Sequence, residues 1–90
     1  MNAIVYKYKN VQICYMELSK EDIRKVVGNN IRLIRISQKM SIDTLAIKAD
    51  MDYTQLSRIE LGKINTSIYQ LYKISKTLQV SIEELVKVID

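Results

Sequence analysis

Residues 45–62 read LAIKADMDYTQLSRIELG, and this stretch decides the fold. Its apolar residues recur at the three- and four-residue spacing of a helix on both sides of residues 50–52, which are Asp-Met-Asp. Asp50 belongs to a residue type that tolerates positive φ, and Asp52 is a suitable N-cap. Gly62 is the residue type that commonly ends a helix in the left-handed conformation. The stretch therefore predicts two short helices joined by a tight turn.

The two predicted helices each have an inner and an outer face. Leu45 and Ala49 lie four residues apart in the first helix, and Leu56 and Ile59 lie three apart in the second. We expect these residues to point into the core. Four polar side chains that are able to reach a partner crowd one side of the second helix, namely Tyr53, Thr54, Gln55 and Arg58.

Three further helices are predicted around this pair. The first begins after Ser19, with two acids in its first turn, and ends near residues 38–39. Gly28 lies within it, which leaves open one weakened helix or two helices. Two more begin near Ser67 and at Ser81. Five short helices joined by short connections predict a compact all-α domain over residues 19–90.

Residues 1–18 form a separate N-terminal arm. Residues 6–9 (YKYK) and 11–13 (VQI) alternate with period two, as a strand does. Because an isolated hairpin is marginal in water, we expect the arm to be disordered, or to pair with another element such as a second copy of itself. Met16 is a candidate natural start, which would make the arm an upstream extension.

Composition excludes several classes of function. The 90 residues suffice for one domain, 48% of them are hydrophobic, and histidine is absent. Cys14 is the single cysteine, so the sequence predicts no structural zinc, no disulfide framework, no cofactor and no catalytic triad. No apolar run approaches the roughly 18 residues that a membrane span needs. We therefore expect a cytoplasmic protein that is not an enzyme, with neither a signal peptide nor a membrane partner.

Charge is unevenly placed along the chain. Residues 23–42 carry five basic side chains and no acidic one, whereas acids outnumber bases over residues 43–62. Three lysines follow at positions 63, 73 and 76, and the net charge is +4. Basic segments on either side of an acidic one indicate nucleic-acid binding, although an ordinary solvated surface would have a similar composition.

Residues 27–86 resemble the helix-turn-helix domain of the phage repressor and Cro family, the group of xenobiotic-response-element-like regulators. The resemblance is carried by VGNNIRLIR, by MSIDTLAIKADMDYTQLSRIELGK and by LYKISKTLQVSIEELV. It implies a five-helix lambda-repressor-like fold that binds double-stranded DNA. In that fold, residues 41–49 lie across the DNA backbone and residues 52–61 enter the major groove. The sequence departs from the family pattern at Ile42, where members usually carry glutamine.

The resemblance and helical geometry together assign DNA contacts. Base contacts are expected from Tyr53, Thr54, Gln55 and Arg58, and Arg58 is suited to guanine O6 and N7. Phosphate contacts are expected from Asn29, Asn30, Arg32, Thr44, Lys48, Ser57, Lys63, Asn65 and Ser67. For each of these residues the alternative is plain solvated surface, and for Arg58 it is a local pair with Glu60 or Asp52.

Two further sets of residues are assigned structural roles. In the family, the positions of Arg35 and Glu60 form a partly buried ion pair, and Glu60 follows an inward isoleucine, where a carboxylate needs a partner. A dimer interface is predicted on the last helix because Ile82, Val86 and Ile89 are more apolar than its own packing requires. The alternative is that these three side chains only cap the core of the monomer.

The leading hypothesis is a sequence-specific transcriptional regulator of a bacterium or phage, a dimeric repressor or a controller of its own operon. The alternative is an antitoxin or other protein-partner module whose residues 1–20 wrap the partner. Enzymatic activity is the third and weakest hypothesis, because the sequence has no catalytic constellation.

Overall fold

A computed structural model of the protein describes residues 17–88. Five helices follow one another in this range: α1 (Lys20–Ser37), α2 (Ile42–Lys48), α3 (Tyr53–Glu60), α4 (Ile68–Leu78) and α5 (Ile82–Val86). Residues 17–88 contain no strand. The predicted all-α fold with five helices is confirmed. The prediction of a strand-like or disordered extension falls almost entirely on residues 1–16, outside the described residues.

Each helix begins at a residue whose side chain satisfies a free backbone amide. Ser19, Ser41, Asp52, Ser67 and Ser81 each accept a hydrogen bond from the amide three residues further on. At the first residues of α1 and α4 the bond is reciprocated by the side chain of the third helical residue, which completes a capping box. These caps explain why short helices start where the sequence predicts.

Gly28 does not interrupt α1, which is one continuous helix of 18 residues. A Cβ atom at Gly28 would lie 2.7 Å from the carbonyl oxygen of Glu60 and closer still to that of Ile59. The absence of a side chain therefore lets the backbone of α3 approach α1 directly. The glycine that weakens α1 by propensity is required by the contact with α3.

The turn between α2 and α3 has the predicted geometry. Asp50 has a φ of 55°, and the amide of Met51 donates to the carbonyl of Ala46 at 2.8 Å. Met51 is partly buried against the core. Gly62, which follows α3, has a φ of 74°. The expected left-handed residues at both ends of the α3 segment are confirmed.

One hydrophobic core joins all five helices. Leu45, Ala49, Leu56 and Ile59 are buried in it, as predicted from their spacing. The other buried apolar residues are Ile31, Ala46, Leu71, Ile74, Leu78 and Leu85. No helix within residues 17–88 has the length and apolar character needed to cross a membrane. The core holds α2 and α3 together and leaves one face of α3 outside.

Candidate nucleic-acid interface

The outer face of α3 is polar at its start and ends on an apolar residue. Tyr53 and Thr54 occupy its first turn and are exposed, and Arg58 is exposed one turn later. Gln55 is half-buried, and its backbone amide donates to the Asp52 carboxylate at 3.1 Å. The four residues predicted to contact bases therefore lie on one helix, and three of them project from the protein.

Arg58 has an exposed guanidinium group. Glu60, one of its two predicted local partners, is bound to Arg35 instead. Within residues 17–88 Arg58 forms no ion pair. Its five N–H donors are therefore available to an external acceptor, and the planar fork of arginine suits a base edge or a phosphate.

Arg35 and Glu60 form the predicted ion pair between α1 and α3. Arg35 Nε donates to one carboxylate oxygen of Glu60 at 2.8 Å, and a terminal nitrogen donates to the other oxygen at 2.9 Å. The remaining terminal nitrogen donates to the Met40 carbonyl at 2.8 Å. The side chains are 11% and 3% exposed. Both charged groups are thus satisfied inside the protein.

This bidentate pair determines the orientation of α3. The two parallel bonds restrict rotation as well as distance, and the third bond ties Arg35 to the segment that precedes α2. Removing one partner from such a buried pair costs about 3–5 kcal/mol, because the other charge remains desolvated. The outer face of α3 is therefore presented in one orientation.

The basic and polar residues of α1 lie beside the end of α3. Asn29 and Arg32 are exposed and line a shallow recess together with Lys25 and Leu61. Glu60 lines the same recess, with its carboxylate already neutralised by Arg35. Two of the predicted phosphate contacts are therefore brought next to the helix that carries the predicted base contacts.

Other predicted phosphate contacts surround α3 on neighbouring segments. Lys48 is exposed in the last turn of α2, and Thr44 is half-buried, with its hydroxyl accepting from that of Ser41. Ser57 is half-buried on α3, while Lys63, Asn65 and Ser67 are exposed on the segment that leads to α4. The Ser67 hydroxyl caps α4 by accepting from the Gln70 amide.

Asn30 is a predicted phosphate contact that the structure contradicts. Its residue exposure is 8%, and its side-chain amide donates to the carbonyls of Leu85 and Lys87 at 3.0 and 2.9 Å. Both donor hydrogens are thus used by carbonyls at the C-terminal end of α5, one within the helix and one at its C-cap. The prediction failed because Asn29 and Asn30 are indistinguishable by residue type, and only their positions around α1 separate them.

Two residues beside the interface were not predicted from the sequence. Leu61, directly after α3, is 58% exposed and borders the recess that Arg32 lines. Lys25 lines the same recess and forms an exposed ion pair with Glu21 at 3.3 Å. Helical periodicity could have indicated Leu61, because it lies seven residues, or about two turns, after Thr54 and therefore on the same face of the helix. Lys25 had no such signal, because its place depends on how α1 packs against α3.

The predicted dimer residues differ in exposure. Ile82 is half-buried, Val86 is 41% exposed, and Ile89 lies outside the described residues. Leu85, between the first two, is fully buried. Leu33 and Val86 line one recess between α1 and α5, and half of the Leu33 surface is exposed. Of the three apolar residues of α5, Leu85 is therefore buried in the core, Ile82 is half-buried and Val86 is exposed.

Comparison with known protein families agrees with this geometry. The family model described as Helix-turn-helix matches residues 31–85, which include all of α2 and α3. The chain belongs to the helix-turn-helix family. It is a DNA-binding transcription regulator. The resemblance to phage repressor and Cro-type domains is thereby confirmed, and so is the assignment of α3 to the helix-turn-helix element.

Three individual relatives are named as control or controller proteins. The chain is 40% identical over 65 residues to the control protein C.BamHI of Bacillus amyloliquefaciens, covering 71% of this chain and 80% of that protein. It is 37% identical over 65 residues to the control protein C.MunI of a Mycoplasma species, with 71% and 88% covered. The crystal structure of the restriction-modification controller protein C.AhdI from Aeromonas hydrophila superposes with a TM-score of 0.68 at 26% identity, covering 69% of this chain and 94% of that one.

Proposed function

We propose that this regulator is a controller protein that binds a specific duplex upstream of its own gene and regulates its own operon. The similarity to C.BamHI and C.MunI extends over 80% and 88% of their lengths, and no large part of either protein is left unmatched. The observation that carries the proposal is the α3 face held by the buried Arg35–Glu60 pair.

Base recognition is assigned to the first two turns of α3. Arg58 donates two hydrogen bonds to guanine O6 and N7, and such a pair discriminates against the wrong base by about 1–3 kcal/mol. Thr54 and the ring of Tyr53 offer apolar contact to a thymine methyl group. Gln55 reaches a base or a phosphate only by rotating away from the protein surface, because it is half-buried.

Phosphate contacts orient the helix and carry the dependence on salt. Asn29, Arg32, Lys48 and Lys63 are exposed on three segments around α3 and are assigned to the DNA backbone. The hydroxyls of Thr44, Ser57 and Ser67 and the amide of Asn65 complete this set. Each lysine or arginine that neutralises a phosphate releases condensed counterions, so affinity falls as salt rises.

A homodimer is proposed through the surface of α5 and the adjoining face of α1. Val86 and Leu33 expose apolar surface at one recess, and Ile82 is half-buried on the same helix as Val86. Two copies related by a two-fold axis would place two α3 helices about one turn of DNA apart. Joining two half-sites multiplies weak contacts, which compensates for Ile42 in place of a phosphate-binding glutamine.

Sedimentation equilibrium tests the dimer. Val86→Glu should convert a dimer to a monomer, whereas Ile47→Glu, at a more exposed apolar position on α2, should leave the dimer intact. Unchanged dimerisation of the Val86 variant would remove this surface from the proposal.

Selection from a random duplex library tests sequence recognition without knowledge of the operator. The chain should enrich two inverted half-sites whose centres lie about 10 base pairs apart. Arg58→Ala should relax the preference at one position of each half-site. Lys48→Ala should weaken all duplexes equally and lower the salt slope by about one. A pool without enrichment would contradict specific recognition.

The second function, a protein-partner module using residues 1–20, is not favoured. Most of this arm lies outside the described residues, and the named relatives are control or controller proteins. Since regulators of this kind act by binding DNA, no catalytic role is proposed. Residues 17–88 contain no cluster of His, Cys, Asp and Glu that could hold a metal ion.

A further inference from the structure

A stripe of aliphatic, aromatic and basic side chains runs along the outside of α4. Its members lie three or four residues from one another and are Ile68, Tyr69, Tyr72, Lys73 and Lys76, which we call the α4 stripe. Ile68 is 78% and Tyr69 67% exposed, although large apolar side chains of this kind gain free energy when they are covered. The core, the assigned DNA contacts and the proposed dimer surface use none of these five side chains.

The two rings and the two lysines of the α4 stripe form an ordered group. The rings of Tyr69 and Tyr72 stack, with their centroids 6.4 Å apart and an angle of 23° between their planes. Lys73 Nζ lies 5.2 Å from the centroid of Tyr69, and Lys76 Nζ lies 5.8 Å from that of Tyr72. Because these contacts already restrict the side chains, a partner loses less conformational entropy in ordering them.

The charge of the α4 stripe is positive and uncompensated. Residues 63–82 contain neither Asp nor Glu. Within residues 17–88, Lys73 and Lys76 form no ion pair. Lys73 Nζ donates to the backbone carbonyl of Asp50 at 2.9 Å, which fixes its position without neutralising it. The two ammonium groups therefore favour an anionic partner that brings its own acceptors.

We propose that the α4 stripe binds an acidic segment of a partner protein, with carboxylates on the two lysines and aliphatic side chains against Ile68 and the tyrosine rings. Lys73 and Lys76 lie three residues apart, which is about 4.5 Å along a helix axis. Two carboxylates one helical turn apart on the partner match this spacing. Tyrosine is also among the residues that contribute most to the free energy of binding in protein interfaces.

The arrangement of the rings favours a protein segment over a nucleic acid. Single-stranded nucleic acids bind by stacking their bases on free aromatic faces. Here a lysine lies over the ring of Tyr69 and another over that of Tyr72, and the two rings stack on each other. The α4 stripe thus offers ammonium groups, ring edges and hydroxyls. Exposed Ile68 needs an apolar partner, which a phosphate backbone does not supply.

Amide chemical shifts in nuclear magnetic resonance titrations of the full chain test this proposal. The probes are two synthetic helical peptides, one of leucine and glutamate with the glutamates three and four residues apart, and one with glutamine at each glutamate position. The glutamate peptide should shift the signals of residues 68–76 and bind about tenfold more tightly than the glutamine peptide, since two exposed ion pairs form.

Four variants separate charge from apolar contact. Lys76→Ser should weaken the glutamate peptide about threefold and leave the glutamine peptide unchanged, because one exposed ion pair is lost. Lys76→Arg should bind as the wild type does. Tyr69→Ser should weaken both peptides equally, since the ring contributes apolar area. Lys20→Ser is the matched control, because it removes the same charge from an exposed position on α1 and should change neither affinity.

Three outcomes would overturn the proposal. The first is that the glutamate peptide does not bind, or binds no more tightly than the glutamine peptide. The second is that Lys20→Ser weakens the glutamate peptide as much as Lys76→Ser does, which would assign the binding to net charge. The third is that a single-stranded oligonucleotide shifts the signals of residues 68–76 at a lower concentration than the glutamate peptide, which would make the α4 stripe a nucleic-acid surface.

Discussion

Replacing Gly28 by alanine should destabilise the protein, although alanine is the better helix former. In a helix interior the exchange normally contributes about 1 kcal/mol of stability. Here the new Cβ atom would lie 2.7 Å from the Glu60 carbonyl oxygen, and ordinary contact begins at 3.4 Å, so α3 must move by at least about 0.7 Å. The atoms in the way belong to backbone, which no side-chain rotation can relieve. Overpacking of this kind costs about 1–3 kcal/mol.

The displacement would also disturb the Arg35–Glu60 pair, since Glu60 is among the residues pushed away. We therefore expect Gly28→Ala to lower the free energy of unfolding by about 2 kcal/mol in total. Urea unfolding followed by circular dichroism measures the change. Asn29→Ala is the matched control, because Asn29 is exposed on the same helix and should gain about 0.5 kcal/mol. If Gly28→Ala is as stable as the control, the inference that α1 and α3 approach too closely for a side chain at residue 28 is contradicted.

Three other results are expected. Glu60→Gln removes the counter-charge of buried Arg35 and should lower the free energy of unfolding, measured by thermal unfolding, by roughly 3 kcal/mol. Arg35→Met/Glu60→Leu should recover most of that loss. If Glu60→Gln leaves the stability unchanged, the buried pair is contradicted. Hydrogen bonds from the Ser19 backbone amide and hydroxyl lower the pKa of Asp22 below its usual 3.8, so its contribution to stability is present above that pH and disappears as the pH falls through the lowered pKa. Asp22→Asn should therefore reduce the loss of stability between neutral and acid pH, and an unchanged acid profile would refute this. Gln79 has a φ of 60°, so Gln79→Gly should relieve about 1 kcal/mol of backbone strain and raise Tm; a lower Tm would show that the Gln79 side chain contributes more than the strain costs.

The helix-turn-helix pair was the most predictable part of the fold. Its N-cap residues, its apolar spacing and its left-handed residues are local features, so Asp50, Asp52 and Gly62 could be interpreted without knowledge of the neighbouring helices. The Arg35–Glu60 pair joins residues 25 positions apart and was predicted only because the resemblance assigns those two positions to each other.

The role of Gly28 and that of Asn30 were less accessible from the sequence. Both depend on which face of α1 meets α3 or α5, and a single residue step around the helix separates an exposed amide from a buried one. The location of Lys25 beside α3 was missed for the same reason. Tertiary packing around α1, which spacing along the chain does not encode, decides each of these roles.

Fluorescence anisotropy with the duplex upstream of the protein's own gene, beside a scrambled duplex, tests the central claim most directly. At two salt concentrations the wild-type chain should prefer the upstream duplex by a hundredfold or more, which is about 2.7 kcal/mol. Arg58→Ala should abolish most of this preference with the fold intact, and Lys76→Ala, on the exposed face of α4, should retain it. If both duplexes bind alike and binding fades equally with salt, only charge is acting, and recognition by α3 is contradicted.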